Sequence, residues 1–314
     1  MTPKYSVSLF LLLSIVLGTV LIGCRGLSSE GLPPQPILPL KPVTNRVILV
    51  VVENQKFDAI VGSPRAPYLN SLANKYSVAT NYFANTHPSI GDYFMMTVGQ
   101  IISNDLFFSG TVRDNNIVRL LGQNSLGWKT YAESMPSVGY TADQAYPYVK
   151  THNPMAYFSD IVLLDSQRSN MVPLTQFDAD LASDSLPSFV YIVPDQTHNM
   201  HDCPGGGRAC TNIDKVMAGD AWMQQHLDPI INDPSFDQHN TLLIVTSDES
   251  FDTDFANGGG HIFAIIVGPS IKNGFQSTTF YQHQSLLRLM CEHLGIPNVL
   301  GQAVNAPSMQ EFFK

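Results

Sequence analysis

The stretch Arg46-Val-Ile-Leu-Val-Val-Val-Glu-Asn54 decides the fold, because six consecutive apolar residues end abruptly in a carboxylate and a carboxamide. Four of the six are valine, and β-branched residues favour strands. An unbroken apolar run indicates a strand that is buried on both faces, as in a parallel sheet covered by helices. Ligands of such sheets bind beyond the carboxyl ends of the strands, where Glu53 and Asn54 fall. A carboxylate at the rim of a core needs a partner, and a metal ion would serve. A simple polar turn is the alternative.

A second stretch, Thr241-Leu-Leu-Ile-Val-Thr-Ser-Asp248-Glu249, has the same form and ends in two acids. Two buried strands that both deliver carboxylates to their carboxyl ends predict one shared site. Ser188–Val193 predicts a further buried strand, followed by Pro194-Asp195. We therefore expect an α/β fold with a central, mostly parallel sheet and helices on both faces, in a single domain over residues 45–314.

The composition favours a large core and argues against a nucleic-acid partner. Hydrophobic residues make up 44% of the 314 residues and charged ones only 14%. The net charge is −9, and no cluster of Lys and Arg provides the basic face that duplex binding needs. Oligomeric state cannot be read from the chain.

The N-terminus predicts export. Lys4 precedes an apolar run, and Leu21-Ile22-Gly23-Cys24 resembles a bacterial lipobox in which Cys24 is lipidated. Residues 1–23 are then a lipoprotein signal peptide; a plain signal peptide or an uncleaved helical anchor is the alternative. Residues 24–44, which contain five prolines, are an extended tether. The absence of Asp after Cys24 favours the outer membrane of a Gram-negative bacterium over the inner one.

The other cysteines fit an exported protein. Cys203 and Cys210 flank the flexible loop Pro-Gly-Gly-Gly-Arg-Ala, and a disulfide between them is expected in an oxidising compartment. Cys291 lies in an apolar helical run and is expected to be a buried thiol.

Between the two acidic strand ends lies Asn85-Thr86-His87-Pro88-Ser89, followed by an apolar run. Proline and hydroxyl residues are favoured where helices begin, so Thr86 is expected at, or just before, a helix N-terminus. Such a terminus is a ready site for a phosphate.

Polar side chains of the types that bind cations follow several predicted strands. They suit a divalent cation such as Mg²⁺, Mn²⁺, Ca²⁺ or Zn²⁺, beside which a hydroxyl can attack phosphorus. The set comprises Glu53, Asn54, Thr86, Asp195, His198, His201, Asp202, Asp248, Glu249 and His261.

Four motifs over roughly residues 45–313 resemble the bacterial phosphoesterase family of secreted acid phosphatases and phospholipases C, within the alkaline phosphatase superfamily. The resemblance is strongest to its short, SapM-like branch. The motifs are Val-Val-Val-Glu53-Asn54-Gln-Lys-Phe-Asp58, Thr86-His87-Pro88-Ser89 with Tyr93, Asn199-Met200-His201-Asp202-Cys203 preceded by Pro194-Asp195, and Thr246-Ser247-Asp248-Glu249 with Gly259-Gly260-His261.

The resemblance implies a metal held by Glu53, Asn54, Asp248 and Glu249. By analogy with sulfatases, it favours Thr86 as the nucleophile and gives Ser89 a supporting, substrate-binding place; Ser89 as the nucleophile is the alternative.

His201 and His261 would contact phosphate or a second cation, and His152 and Asn54 would reach the substrate. Asp195, His198 and Asp202 would serve a second metal or support the ligands, with Asp202 behind His201. Asp248-Glu249 replaces the Asp-His of two-metal relatives, which favours one tightly held cation.

The expected activity is that of a metal-dependent phosphomonoesterase with a phospho-threonine intermediate. An N-terminal lipid anchor makes phospholipid or phosphoinositide head groups plausible substrates. The alternatives are a phospholipase C-type phosphodiesterase on the same scaffold and a cell-surface binding lipoprotein with an inactive site.

Overall fold

The computed structural model describes residues 45–314. The predicted signal peptide, the lipidation site Cys24 and the tether lie outside the described residues, so all three stay predictions.

Nine strands among residues 45–314 form one sheet. In chain order they are β1 (Val47–Val52), β2 (Ser77–Phe83), β3 (Trp128–Ala132), β4 (Met171–Pro173), β5 (Phe189–Val193), β6 (Leu242–Ser247), β7 (His261–Val267), β8 (Phe275–Ser277) and β9 (Tyr281–Gln282).

Ten α-helices connect and surround these strands in the described part of the chain. They are α1 (Phe57–Ile60), α2 (Pro67–Lys75), α3 (Ile90–Val98), α4 (Ile117–Gln123), α5 (Ser159–Val162), α6 (Asp165–Arg168), α7 (Phe177–Ala182), α8 (Asn212–Asn232), α9 (Pro234–Gln238) and α10 (His283–His293). Short 3₁₀ turns lie at Lys150–His152, Pro154–Tyr157, Leu174–Gln176, Pro204–Gly206, Gly301–Asn305 and Gln310–Phe312.

The strand order is β4-β3-β5-β1-β6-β7-β2-β8, and β9 pairs with β2. Strands β4, β3, β5, β1 and β6 run parallel to one another, while β7 pairs antiparallel with both β6 and β2. The predicted α/β fold with a mostly parallel sheet is therefore confirmed.

Strand β1 lies at the centre of the sheet, and all six of its residues are buried. Burial of alternate side chains on opposite faces requires cover on both sides of the sheet. Helices α2 and α8 pack together, as do α3 and α10. The valine-rich run predicted this placement correctly.

Helix limits agree with the apolar spacing, and local signals explain the ends. Helix α8 starts at Asn212 because Thr211 and Asp214 form a reciprocal capping box. The short strands β4, β8 and β9 were not predicted, since two or three residues carry no periodicity. No helix among residues 45–314 is long and apolar enough to cross a membrane.

Candidate active site

The carboxyl ends of β1 and β6 bring the two acidic pairs together. Val52 and Ser247 are in register, so the residues that follow them are neighbours. The Asn54 backbone N–H donates to Asp248 Oδ1 at 2.9 Å, and its side-chain Nδ2 donates to Glu249 Oε1 at 3.0 Å. Asn54 has φ of 51°, a left-handed conformation that Asn tolerates better than most residues and that is common at functional sites.

Three carboxyl groups are buried in this cluster. Glu53 and Asp248 are fully buried, and Glu249 is 2% exposed. Burial raises the pKa of Glu53 and of Glu249 to about 7, and it raises the pKa of Asp248 well above its usual range. Without a nearby cation, the three carboxyl groups cannot all be ionised at neutral pH.

Two oxygen atoms of the cluster indicate where such a cation fits. Asn54 Oδ1 and Asp248 Oδ2 are buried and have no hydrogen-bond partner among residues 45–314. Buried oxygens without donors, set among carboxylates, are the ligands that hard divalent cations prefer. Glu53, Asn54, Asp248 and Glu249, the predicted ligands, are therefore brought together in an arrangement that fits a metal. Asp252 adds an exposed carboxylate, whose oxygen lies within 4.8 Å of ligand atoms of His87 and Glu249.

Ser89 places a hydroxyl in this cluster. It occupies the N-cap position of α3, yet its side chain makes no capping bond. Its Oγ lies 3.1 Å from Glu53 Oε2 and 2.8 Å from Glu249 Oε1. The hydroxyl thus faces the acids at a helix N-terminus, where the dipole favours an approaching anion.

Thr86 is placed differently from what the resemblance implied. Its Oγ1 accepts a hydrogen bond from Asn104 Nδ2 at 2.8 Å and donates to the His87 carbonyl at 3.1 Å. Helix α3 begins at Ile90, so Ser89 rather than Thr86 directly precedes its first turn. The structure brings the Ser89 hydroxyl, and not that of Thr86, into contact with the carboxylates.

His87 connects the segment that precedes α3 to the loop after β6. Its Nδ1 lies 2.6 Å from Glu249 Oε2, and its Nε2 lies 2.9 Å from the Asp254 carbonyl. Both ring nitrogens face acceptors, which orients the loop around Ser89.

His152 contacts the cluster from the opposite side. Its Nε2 lies 3.3 Å from Glu53 Oε1, and its Nδ1 lies 3.2 Å from Asn199 Nδ2. Because the Asn199 amide donates to Nδ1, the proton of the neutral ring is on Nε2 and faces Glu53. Burial, together with nearby His201, lowers the pKa of His152 to about 3, so the ring is neutral. Tyr93 stacks on the His152 ring, and its hydroxyl donates a hydrogen bond to Glu53.

His201 lines the open side of the site. It borders a cavity of about 560 Å³ together with Asn54, Ser89 and Glu249. Its Nδ1 lies 2.7 Å from Asp202 Oδ1, the contact expected for a supporting carboxylate.

Cys203, the next residue, forms the predicted disulfide with Cys210, and Cys291 is a free, buried thiol, as expected.

His261 is not brought to the cluster in this structure. Its ring stacks between Phe57 and Phe83, and its Nε2 lies 2.9 Å from the Thr80 carbonyl. The motif serves the site through a glycine instead: a Cβ on Gly259 would collide with the backbone of Thr86. The absence of a side chain at Gly259 therefore lets the loop after β6 lie directly against residues 84–86.

Asp195 and His198 form a separate cluster at the ends of β3 and β5. His198 Nδ1 lies 3.0 Å from Glu133 Oε1 and 3.4 Å from Asp195 Oδ1. Hydrogen bonds to Asp195 and Glu133 raise the pKa of His198 to about 10. The hydrogen bonds that Asp195 accepts from His198, Ser134 and Thr197 outweigh the effect of its burial and lower its pKa to about 2.

Sequence reasoning missed several residues that hold the site. His283 Nε2 lies 2.5 Å from the Asp248 carbonyl, and buried Asp92 accepts the Asn85 backbone N–H at 2.8 Å. Asn104 lies in a polar loop, and Glu133 follows a short strand. None of these four carries a spacing signal of its own, because their partners are remote in the chain.

Known proteins resemble the chain in sequence. It is 29% identical to a phosphatidylinositol-3-phosphatase of Mycobacterium tuberculosis over 277 residues, which cover 87% of this chain and 84% of that protein. It is 27% identical to a probable acid phosphatase of Kluyveromyces lactis over 266 residues and 29% identical to a phosphate-repressible acid phosphatase of Penicillium chrysogenum over 281 residues. These matches cover 81% and 83% of this chain, but only 59% and 63% of the fungal proteins.

Solved structures share the fold. A protein in the alkaline phosphatase superfamily from Vibrio parahaemolyticus matches with a TM-score of 0.58 at 15% identity, over 86% of this chain and 72% of that one. The lipoteichoic acid synthase LtaP of Listeria monocytogenes matches with a TM-score of 0.58 at 13% identity, over 84% and 76%. The model of the Phosphoesterase family matches residues 63–297, which run from before α2 to beyond α10 and include Ser89, Asp248 and Glu249, and the chain therefore belongs to the Phosphoesterase family.

Proposed function

We propose that the protein is a metal-dependent phosphomonoesterase in which the Ser89 hydroxyl attacks phosphorus. The observation that carries this proposal is the position of Ser89 Oγ, within 3.1 Å of Glu53 and 2.8 Å of Glu249. The proposal replaces the expected phospho-threonine at Thr86 with a phosphoserine intermediate.

Glu53, Asn54, Asp248 and Glu249 would hold the divalent cation, which is Mg²⁺, Mn²⁺, Ca²⁺ or Zn²⁺. Bound there, it supplies positive charge that favours the ionised hydroxyl and the charge on the phosphoryl oxygens. Unpartnered Asn54 Oδ1 and Asp248 Oδ2 support this assignment.

The chain's own groups account for the covalent step. The Ser89 hydroxyl gives its proton to a carboxylate that it touches, its Oγ forms a bond to phosphorus, and the bond to the leaving oxygen breaks. Helix α3 begins at the next residue, so its N-terminal dipole favours the negative phosphoryl group. Water then attacks phosphorus and gives a proton to His201, the bond from phosphorus to Ser89 Oγ breaks, and Ser89 takes its proton back from the carboxylate.

His201 is the proposed general acid. Its Nδ1 is held by Asp202, so Nε2 is the nitrogen available to the cavity that Ser89 lines. A proton on that nitrogen can pass to the leaving oxygen as its bond to phosphorus breaks. Buried His152 stays neutral and its Nε2 lies 3.3 Å from Glu53 Oε1, so it positions the carboxylate and does not transfer the proton.

The relatives support a monoester substrate. Two of those described above are named as acid phosphatases and one as a phosphatidylinositol-3-phosphatase. We propose that phosphate monoesters, including lipid head groups presented at a membrane, are the substrates. The predicted lipid anchor would place the domain at such a surface. Faster cleavage of an intact phospholipid diester than of its monoester would favour the phospholipase C alternative.

Two hydroxyl deletions test the mechanism. We expect Ser89→Ala to lower kcat for a chromogenic phosphomonoester by roughly 10⁴-fold or more, because it removes the nucleophile. Thr86→Ala is the matched control and should stay within about tenfold, because it loses hydrogen bonds but no attacking group. Mass spectrometry of acid-quenched enzyme should find phosphate on the peptide containing Ser89. Activity in Ser89→Ala together with its loss in Thr86→Ala would restore the phospho-threonine mechanism.

A further inference from the structure

A second cavity lies beside the active-site cavity. Its volume is about 490 Å³, and its walls include Leu106 and Phe107, which also line the cavity at Ser89. A smaller cavity of about 230 Å³ is lined by Ser89 and Phe107 and also by Thr151, a wall residue of the second cavity. The nucleophile and the second cavity are therefore connected through shared walls.

The second cavity contains a buried lysine. Lys150 lines it and is 9% exposed. Its ammonium lies 4.5 Å from the centre of the Tyr157 ring, and it forms no hydrogen bond or ion pair with any residue that the structure describes. A cation–π contact offsets part of the cost of removing an ammonium from water, and no acceptor among the described residues bonds its N–H donors, which are left to the cavity.

Lys129 shows what a satisfied lysine looks like in the same fold. It also lies over a tyrosine, at 5.6 Å from the centre of the Tyr131 ring, and it donates to Asp180 at 2.7 Å. Lys150 has the aromatic contact without the carboxylate. The acid that shares its cavity, Asp143, is exposed and forms no ion pair with it, so it attracts Lys150 only through space.

The backbone fixes this lysine relative to the catalytic groups. Lys150 and His152 belong to the same 3₁₀ turn. His152 contacts Glu53 in the carboxylate cluster, whereas Lys150 faces the second cavity. One short turn therefore holds a cation at a set distance from the site of phosphate cleavage.

We propose that Lys150 and the second cavity bind a second anionic group of the substrate, a phosphate or carboxylate separated by several atoms from the phosphate that is cleaved. This inference rests on the proposed phosphomonoesterase function and narrows its substrate class. Ser109, Gln144 and Thr151 also line the cavity and offer polar side chains to such a group. The anion supplies the acceptors that the ammonium lacks, and a charge-assisted hydrogen bond forms in a partly desolvated place.

The test compares substrates with and without the second anion. Alkanediol bisphosphates of increasing chain length and alkyl monophosphates of the same lengths are hydrolysed by the enzyme with its metal. We expect kcat/KM to favour the bisphosphate by about tenfold or more at one optimal chain length, beyond the advantage of having two equivalent ends. Lys150→Met should abolish that preference, Lys150→Arg should keep part of it, and Lys129→Met, the matched control, should keep all of it.

A binding measurement covers the case in which Lys150→Met does not fold. An alkanediol bisphosphonate should then inhibit the wild-type enzyme about tenfold more strongly than the matching monophosphonate. Equal hydrolysis of both substrate classes, or a preference that survives Lys150→Met, would overturn the inference and leave the phosphomonoesterase function standing. Failure of the wild-type enzyme to hydrolyse either class would overturn the proposed function and the inference with it.

Discussion

Two clusters of acids at the same edge of the sheet differ in how their charge is balanced. At the ends of β3 and β5, Glu133 and Asp195 hold His198 between them, and hydrogen bonds to both acids raise the pKa of the imidazole to about 10. At the ends of β1 and β6, Glu53 meets the neutral ring of His152 instead. The histidine between the acids of the first cluster carries a positive charge, whereas the ring that faces Glu53 in the second cluster is neutral.

The difference shows why equal placement on a fold does not mean equal chemistry. Asp195 Oδ2 accepts a hydrogen bond from Ser134 at 2.7 Å and Oδ1 accepts one from Thr197 at 2.8 Å, so both oxygens of this carboxylate have donors within the protein. Asp248 Oδ2 has no donor among residues 45–314. Acids whose hydrogen bonds are all made stabilise the fold, whereas a buried carboxylate oxygen without a donor is a candidate ligand for a cation from solution.

The largest expected effect follows from neutralising the unbalanced cluster. Asp248→Asn keeps the acceptor for the Asn54 backbone N–H but removes a charge that would hold the metal. We expect kcat/KM for a chromogenic phosphomonoester to fall by roughly 10³-fold. With excess chelator the variant should be more stable than the wild-type protein by about 1–2 kcal/mol, because repulsion among buried acids is relieved. Equal stability of the two proteins in chelator would contradict the proposed charge imbalance.

Metal addition should separate the wild-type protein from that variant. At a metal concentration about 100 times the Kd, binding to the folded state alone stabilises a protein by about 2.7 kcal/mol. Thermal unfolding of the chelated protein, repeated with each candidate cation, should show such a rise in Tm for the wild-type chain and a much smaller one for Asp248→Asn. A rise of the same size in both would place the metal elsewhere.

Breaking the balanced cluster should affect stability without involving metal. His198→Gln leaves Glu133 and Asp195 without their cation, and we expect a loss of about 1–2 kcal/mol, reduced from the value for a buried pair because His198 is partly exposed. Urea unfolding with and without chelator measures this loss, which should be the same in both. His226→Gln is the matched control, since the His226 ring also contacts Trp222, with its centre 4.2 Å from that of the indole. A loss seen only with metal present would make this cluster a metal site.

The smallest effect is on the pH dependence of that loss. The pKa of His198 is raised from an ordinary value near 6.5 to about 10, so its stabilising contribution is complete below about pH 6.5 and disappears as pH rises through about 10. The difference in Tm between the wild-type protein and His198→Gln should therefore shrink between these values. A constant difference up to pH 10 would show that packing, and not charge, is responsible.

The sequence predicted the parts of the site that strands deliver. Apolar runs ending in Glu53-Asn54 and Asp248-Glu249 fix both the sheet and the edge at which these pairs meet. The sequence could not predict the exact start of α3, since either Thr86 or Ser89 can precede a helix that begins near Pro88. The local turn decides which of the two hydroxyls faces the acids. His261 was expected near phosphate or a second cation because of the glycines before it. Gly259 is instead needed where the loop approaches the Thr86 backbone, and the His261 ring packs between two phenylalanines.

Contacts between distant segments were also out of reach. Glu133 meets Trp222 at 3.1 Å across 89 positions, and His283 meets the Asp248 carbonyl across 35. No sequence pattern pointed to Lys150, because its interest depends on the absence of a carboxylate partner among the described residues, and only the structure shows that. Such features depend on three-dimensional packing and not on local periodicity.

The disulfide between Cys203 and Cys210 has a practical consequence for making the enzyme. It closes the loop that runs from His201 and Asp202 to Thr211, the residue that caps α8. A bacterial cytosol keeps thiols reduced, so protein produced there would hold its proposed proton donor less firmly while the sheet folds normally. Recombinant material should be made in a periplasm or refolded with an oxidant before its turnover is compared with that of relatives.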